Sequence, residues 1–106
     1  MLCSNLEGSA VEVTVEENDD ARIYHLLFAN EFKDHRIQDV SIDYGESGSV
    51  LVETPLYKDN DQKSYASFVG FRGHGEVYVL ANYGLGACTR QNATVIEPWK
   101  QEGNDT

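Results

Sequence analysis

Apolar and polar residues alternate along much of this chain. Within residues 10–16 every second residue is a valine, and the residues between these valines are polar. Residues 36–44 alternate in the same way, with Val40 and Ile42 on the apolar side, and residues 49–54 follow after a glycine-bounded turn. A period of two is typical of half-buried β-strands. The pattern therefore predicts three strands, of which the last two form a hairpin.

Residues 22–29 are apolar on both faces, which predicts a central strand covered on both sides. A short helix is the alternative, because Leu26 and Leu27 have no β preference and residues 31–34 could extend a helix. The strand is favoured because Ile23 and Tyr24 begin it directly after a turn-prone acidic cluster.

Three apolar runs follow at residues 64–71, 76–83 and 87–97, joined by glycine-containing segments at 72–75 and 84–86. Glycines adopt the positive φ that hairpin turns require. The pattern therefore predicts three antiparallel strands in succession, a C-terminal meander.

About seven strands separated by turn signals predict an all-β fold, an antiparallel β-sandwich or a small barrel. With 106 residues the chain has the size of one domain, which we assign to residues 1–100, and the polar tail 101–106 is expected to fray. Immunoglobulin domains carry a Trp between two cysteines, whereas here Trp99 follows both, so that signature is absent.

The chain is strongly acidic, with 18 acidic and 8 basic residues and a formal charge of −10. Such a surface repels phosphate backbones and anionic membranes, so direct nucleic-acid binding is not expected. Solubility explains the charge most simply, and the alternative is an acidic inhibitor or nucleic-acid mimic that docks a basic partner. No apolar run is long enough for a transmembrane helix.

Two cysteines, Cys3 and Cys88, are predicted to form a disulfide between the N-terminus and the last strand. A disulfide indicates a periplasmic or extracellular protein, and the alternative is a cytoplasmic protein with two reduced thiols.

No catalytic or metal-binding motif is present. His25, His35 and His74 do not share the spacing of a zinc site. Loop residues 58–61 offer oxygen ligands but do not continue as a calcium loop. Asn92 begins an Asn-Ala-Thr glycosylation acceptor, which has meaning only in a eukaryotic secretory pathway. We therefore expect no metal and no cofactor, and a binding protein rather than an enzyme.

Aromatic and cationic residues of the last strands form the candidate binding surface, since Tyr and Arg are enriched at recognition hot spots. This set is Tyr65, Phe71, Arg72, His74, Tyr78 and Tyr83. Packing within the core is the alternative role for the aromatics. An exposed strand edge would also allow association with a second copy.

The leading hypothesis is a secreted or periplasmic domain that recognises a protein or another macromolecule. A basic partner would complement the acidic chain. The main alternative is a small-ligand-binding barrel, or an enzyme whose site is assembled across loops. That alternative predicts a deep pocket lined by Tyr24, His25 and Tyr78.

Overall fold

A computed structural model describes residues 2–44, 51–84 and 89–99, with the backbone alone for 2–5 and 51–53. In these ranges the chain forms strands and no helix. The strands are β1 (Leu2–Asn5), β2 (Val11–Asn18), β3 (Ala21–Ala29), β4 (Glu31–Phe32), β5 (His35–Asp43), β6 (Leu51–Thr54), β7 (Tyr57–Lys58), β8 (Lys63–Phe71), β9 (Val77–Tyr83) and β10 (Thr89–Ile96).

Two sheets pack face to face, which confirms the all-β sandwich. The first sheet has the order β1-β10-β9-β5-β4, with β6 also paired to β5, and the second has the order β2-β3-β8-β7. Among the described strands, β1 and β10 run parallel, and every other pair is antiparallel.

A sandwich of two antiparallel sheets is an architecture that many unrelated functions share, so the fold alone does not specify a function.

The core lies between the sheets and is built from alternate residues of the facing strands. Its fully buried members include Leu26, Phe28, Val40, Ile42, Ala66, Val77, Val79, Ala81 and Tyr83. Removing these apolar side chains from water is the main favourable contribution to folding. The alternation read from residues 36–44 is confirmed at Val40 and Ile42, which point inward from β5.

Residues 22–29 form a strand, as predicted, and not a helix. β3 lies between β2 and β8 and is paired along its whole length with β8. Helical extension through residues 31–34 does not occur, because Lys33 and Asp34 adopt φ values of 51° and 69°. These two residues form the turn of the β4–β5 hairpin. Their left-handed conformations give the turn a backbone twist that matches the twist of the two strands.

The predicted C-terminal meander is wrong in one respect. β9 and β10 form an antiparallel pair as expected, but β8 pairs with β3 in the other sheet. The glycine-containing segment 72–75 is therefore part of a crossover between sheets and not a hairpin turn. Backbone bonds to Trp99 hold this crossover: Gly73 N donates to Trp99 O at 2.7 Å, and Trp99 N donates to His74 O at 3.1 Å.

A second crossover, between β1 and β2, is held by Asn92 on β10. Its side-chain amide donates to the carbonyls of Leu6 and Gly8 at 2.8 and 2.9 Å. Asn92 is 2% exposed, so the glycosylation acceptor that it begins is inaccessible in the folded chain.

Among the described residues, no helix is long and apolar enough to cross a membrane. The predicted turn at residues 45–48, residues 85 and 86 of the predicted turn at 84–86, and the tail 101–106 lie outside the described residues.

Candidate binding surface

The outer face of the four-stranded sheet carries a row of large apolar side chains. β8 alternates so that Ala66 and Phe68 point into the core while Tyr65, Val69 and Phe71 point outward. The register extends this row to the neighbouring strands. Ile23 lies opposite Val69, and both Leu27 and Tyr57 lie opposite Tyr65. We call this set the outer stripe: Ile23, Leu27, Tyr57, Tyr65, Val69 and Phe71.

The outer stripe is unusually exposed for apolar residues. Phe71 is 65% exposed and Val69 is 43% exposed. Tyr57 and Tyr65 are also exposed, and their rings pack against each other with centroids 5.5 Å apart. Ser67 and His25 lie opposite each other on the same face and separate the row into two halves. Exposed apolar surface of this kind is typical of interaction sites on folded proteins.

A shallow depression of ≈ 210 Å³ lies beside Tyr65, between Glu12 on β2 and Leu27 on β3. His25 lines it, and its Nε2 is 3.1 Å from Glu16 Oε1. Because Glu12 and Glu16 are exposed on the adjacent strand, the outer stripe has an acidic border along β2.

A different cluster closes one end of the sandwich; we call it the end cap. The buried Trp99 ring contacts two guanidinium groups, with Arg22 Cζ 4.2 Å and Arg72 Cζ 4.6 Å from its centroid. Cation–π contacts of this kind are strongest when they are shielded from water.

Acidic and carbonyl groups around the β2–β3 turn partner the arginines of the end cap. Arg22 forms an ion pair with Glu17 at 2.8 Å, while Arg72 Nη2 donates to the carbonyl of Asp19 at 3.1 Å. The pKa of Arg22 is raised, first by its hydrogen bond with the Tyr24 side chain and then by Glu17, whereas burial acts in the opposite direction.

His74 is held on both ring nitrogens within the end cap. Nδ1 lies 2.7 Å from the carbonyl of Gly75, which can only accept, so Nδ1 carries the proton. Nε2 lies 2.8 Å from the Tyr24 hydroxyl, its second hydrogen-bond partner. Both ring nitrogens therefore have partners within the protein, which indicates a structural role for His74.

The six predicted surface residues do not form one patch. Tyr65 and Phe71 belong to the outer stripe, and Arg72 and His74 to the end cap. Tyr78 lies on the outer face of the other sheet, where its hydroxyl donates to Glu76 at 2.8 Å. This bond to a carboxylate raises the pKa of Tyr78.

Tyr83 is a correction to the predicted surface, because it is fully buried. Its position in β9 points it inward with Val79 and Ala81, and its hydroxyl donates to the carbonyl of Ala29 at 2.7 Å. Burial raises the pKa of Tyr83 to about 12. Tyr83 is therefore a core residue with one satisfied polar atom.

We expect the Tyr83→Phe variant to show this burial in its pH dependence. A phenol whose pKa is raised on folding stabilises the protein below pH 10 and loses that contribution as the pH rises towards 12. Near pH 8 the variant should be less stable by about 1 kcal/mol, since it lacks the hydrogen bond. Above pH 10 the difference should shrink and then reverse, and urea unfolding across this range measures it. A difference that does not change with pH would contradict the buried phenol.

Residues that the sequence did not single out supply much of the outer stripe, namely Ile23, Leu27, Tyr57 and Val69. The sequence signal for these residues was that residues 22–29 are apolar on both faces. Packing against one facing sheet requires only one apolar face, so the apolar residues of the second face were the available signal. Trp99 was also missed as the centre of the end cap, because its contacts with Arg22 and Arg72 join distant parts of the chain.

The pocket expected for a small-ligand site does not form from the residues named for it. Tyr24 and His25 are neighbours on β3, so Tyr24 points into the core while His25 points outward.

In the loop at residues 58–61, Asn60 Oδ1 accepts from the backbone N–H groups of Gln62 and Lys63, at 2.8 and 2.9 Å. Among the described residues, no three His, Cys, Asp or Glu side chains are grouped to hold a metal.

The predicted disulfide falls outside the described residues at Cys88, and only the backbone of Cys3 is described. Leu2 pairs with Thr89, the residue that follows Cys88 in sequence. The backbone of Cys3 therefore lies beside the start of β10, and the disulfide stays a prediction.

Compared with protein families, with curated proteins and with solved structures, the chain shows no match.

Proposed function

We propose that this protein is a non-catalytic binding domain that recognises a partner protein through the outer stripe. The observation that carries this proposal is the placement of the exposed apolar residues. Of the six large hydrophobic residues exposed in the described chain, Tyr57, Tyr65, Val69 and Phe71 lie together on one sheet face. Exposing such residues in water is unfavourable, and covering them with a partner recovers about 25 cal/mol for each Å² of apolar surface.

The charges around the outer stripe specify the partner further. Glu12 and Glu16 border it on β2, and the whole chain carries a formal charge of −10. A matching surface would present apolar side chains at its centre and Lys or Arg towards β2, since complementary charges speed association and exclude acidic competitors. The partner class is therefore a protein segment with an apolar centre and a basic border.

Selection from a displayed library of random peptides tests this proposal without knowledge of the natural partner. Selected sequences should combine apolar and basic residues, and Phe71→Ser should weaken their binding about tenfold, equivalent to about 1.4 kcal/mol. Val95→Ser is the matched control, because Val95 is 49% exposed on the other sheet. A selection that enriches no peptide, or peptides that bind Phe71→Ser as well as the wild type, would refute the proposal.

Export to a periplasm or to the cell exterior is part of the same proposal. It rests on the predicted disulfide between Cys3 and Cys88, which persists in oxidising compartments. Mass spectrometry of the alkylated, unreduced protein should show neither thiol modified. Two alkylated cysteines would remove the support for export and leave the outer stripe as the basis of the binding function.

A further inference from the structure

The edge of the four-stranded sheet is incomplete along β8. β7 has two residues and pairs with Tyr65 and Ser64. No other described strand pairs with this side of β8, so residues 67–71 have no described neighbour there. An open depression of ≈ 400 Å³ lies along this end of β8 and is lined by Tyr44 and by residues 69–74.

The hydrogen-bond pattern shows which backbone groups face this open edge. Arg72 N donates to Asp20 O at 3.1 Å, and these residues continue the register in which Ala21 lies opposite Phe71. Bonding residues alternate along an antiparallel ladder. Gly70 therefore bonds towards β3, whereas Ser67 and Val69 direct their N–H and C=O groups outward. Phe71 directs its N–H outward, while its C=O accepts from His74 N at 3.0 Å within the turn.

Within the described strand β8, this edge lacks two of the features that normally prevent strand addition. Residues 64–71 contain no charged residue and no proline, and both are common protections of exposed edges. The opposite edge of the same sheet, β2, carries Glu12, Glu16 and Glu17. The open part of β8 is thus an uncharged edge in a chain whose formal charge is −10.

We propose that two copies of this chain form a dimer by antiparallel pairing of their β8 edges. A second copy fits because the same uncharged edge would face itself across the pairing. No acidic side chains would then oppose each other there, although each chain carries a formal charge of −10. Pairing about a two-fold axis at Val69 places Val69 opposite Val69 of the second copy and Ser67 opposite its Phe71. The two Val69 residues then exchange two hydrogen bonds, and in each Ser67–Phe71 pair the Phe71 N–H donates to the Ser67 C=O, since the Phe71 C=O is occupied by His74.

The length of the open edge matches this register. The chain leaves the sheet after Phe71 through the turn at Arg72 and Gly73, so the β8 of the second copy ends where β7 begins. The dimer joins both four-stranded sheets into one continuous sheet and places the two outer stripes on the same face. The dimer therefore presents twice the apolar surface of one copy. Its formation does not depend on what that surface binds.

Sedimentation velocity over about 1 µM to 1 mM tests the dimer, a range that covers weak to moderate affinities. The wild type should dimerise, and Val69→Lys should weaken dimerisation at least tenfold, because it sets two like charges opposite each other at the axis. Val95→Lys, of similar exposure on the other sheet, should dimerise like the wild type. Added salt should strengthen the dimer by screening the repulsion between the acidic chains.

Two further variants test whether the dimer forms through the edge of β8 and not through the face of the sheet. Ser67→Pro should also be monomeric, because the proline ring replaces an outward-facing N–H and stands where the incoming strand would pair, and it covers the case in which Val69→Lys fails to fold. It changes no residue of the outer stripe and adds no charge to the outer face, so it should still bind the selected peptides, which distinguishes failure of the dimer from failure of the proposed function. Leu27→Lys should remain dimeric, since Leu27 lies on the sheet face and not on its edge. A wild type that is monomeric throughout, or loss of the dimer in Leu27→Lys or Val95→Lys, would overturn the proposal.

Discussion

Replacing Asn92 by Asp should destabilise the protein by about 3–5 kcal/mol at neutral pH, the range for an uncompensated buried charge. The Asn92 amide donates two hydrogen bonds to the carbonyls of Leu6 and Gly8, and the residue is 2% exposed. An ionised carboxylate cannot donate and would face two carbonyl oxygens instead. Asn92→Ala, which removes the bonds without adding a charge, should cost less, about 2–3 kcal/mol.

The pH dependence of Asn92→Asp distinguishes the added charge from the lost hydrogen bonds. Burial against carbonyls would raise the pKa of the new carboxyl group in the folded state, so folding would favour its protonated form. The stability deficit relative to wild type should therefore be smallest at acidic pH and grow as the pH rises through about 4, the pKa of an unfolded Asp.

Urea unfolding at several pH values measures this deficit, and Gln91→Ala serves as the control on the same strand. Gln91 donates a side-chain bond to Asn82 at 3.1 Å and is only partly buried, so its loss should cost less than about 1 kcal/mol. Amide hydrogen exchange at Leu6 gives a local readout, because Leu6 N bonds to Gln91 O beside the crossover. A stable Asn92→Asp protein at pH 7 would show that Asn92 does not hold the crossover.

Replacing Gly70 by Ala should destabilise the protein by about 1–3 kcal/mol, the usual cost of overpacking a filled site. A Cβ at Gly70 would stand 2.8 Å from Cε2 of Tyr24 and 2.8 Å from Cδ2 of His74. The Tyr24 ring is buried and stacked on Phe68 with centroids 4.8 Å apart, so it has little room to move. His74 would have to shift, which would break its bond to Tyr24.

A double-mutant cycle with His74→Ala tests whether the imidazole ring restricts Gly70. Removing this ring eliminates one of the two close approaches, so Gly70→Ala should cost less in the His74→Ala background. Ser67→Ala, at an exposed position of the same strand, should change stability by less than about 0.5 kcal/mol. Equal costs of Gly70→Ala in both backgrounds would show that His74 does not restrict this position.

The individual strands were largely predictable because alternation is a local property. Residues 36–44 have a period of two, and β5 buries Val40 and Ile42 as that period requires. The local sequence of residues 22–29 is compatible with a strand or a short helix. Nine residues of pairing between β3 and β8, which lie about forty residues apart in sequence, decide for the strand.

The candidate site was predictable only in part, because exposure depends on which sheet faces which. Tyr65 and Tyr83 look alike in sequence, each an aromatic residue in an alternating strand. β8 turns Tyr65 outward, whereas β9 turns Tyr83 into the core. The alternation pattern separates the two faces of a strand but does not say which face meets the other sheet.

The sequence by itself determined the all-β class, most strand positions and the acidic surface. These depend on the spacing of apolar residues and on composition. Only the tertiary structure decided that β8 and β9 belong to different sheets, and therefore that the open edge of β8 and the outer stripe exist. The physical reason is that pairing of distant strands is selected by burial of whole faces together, a non-local quantity that no short segment contains.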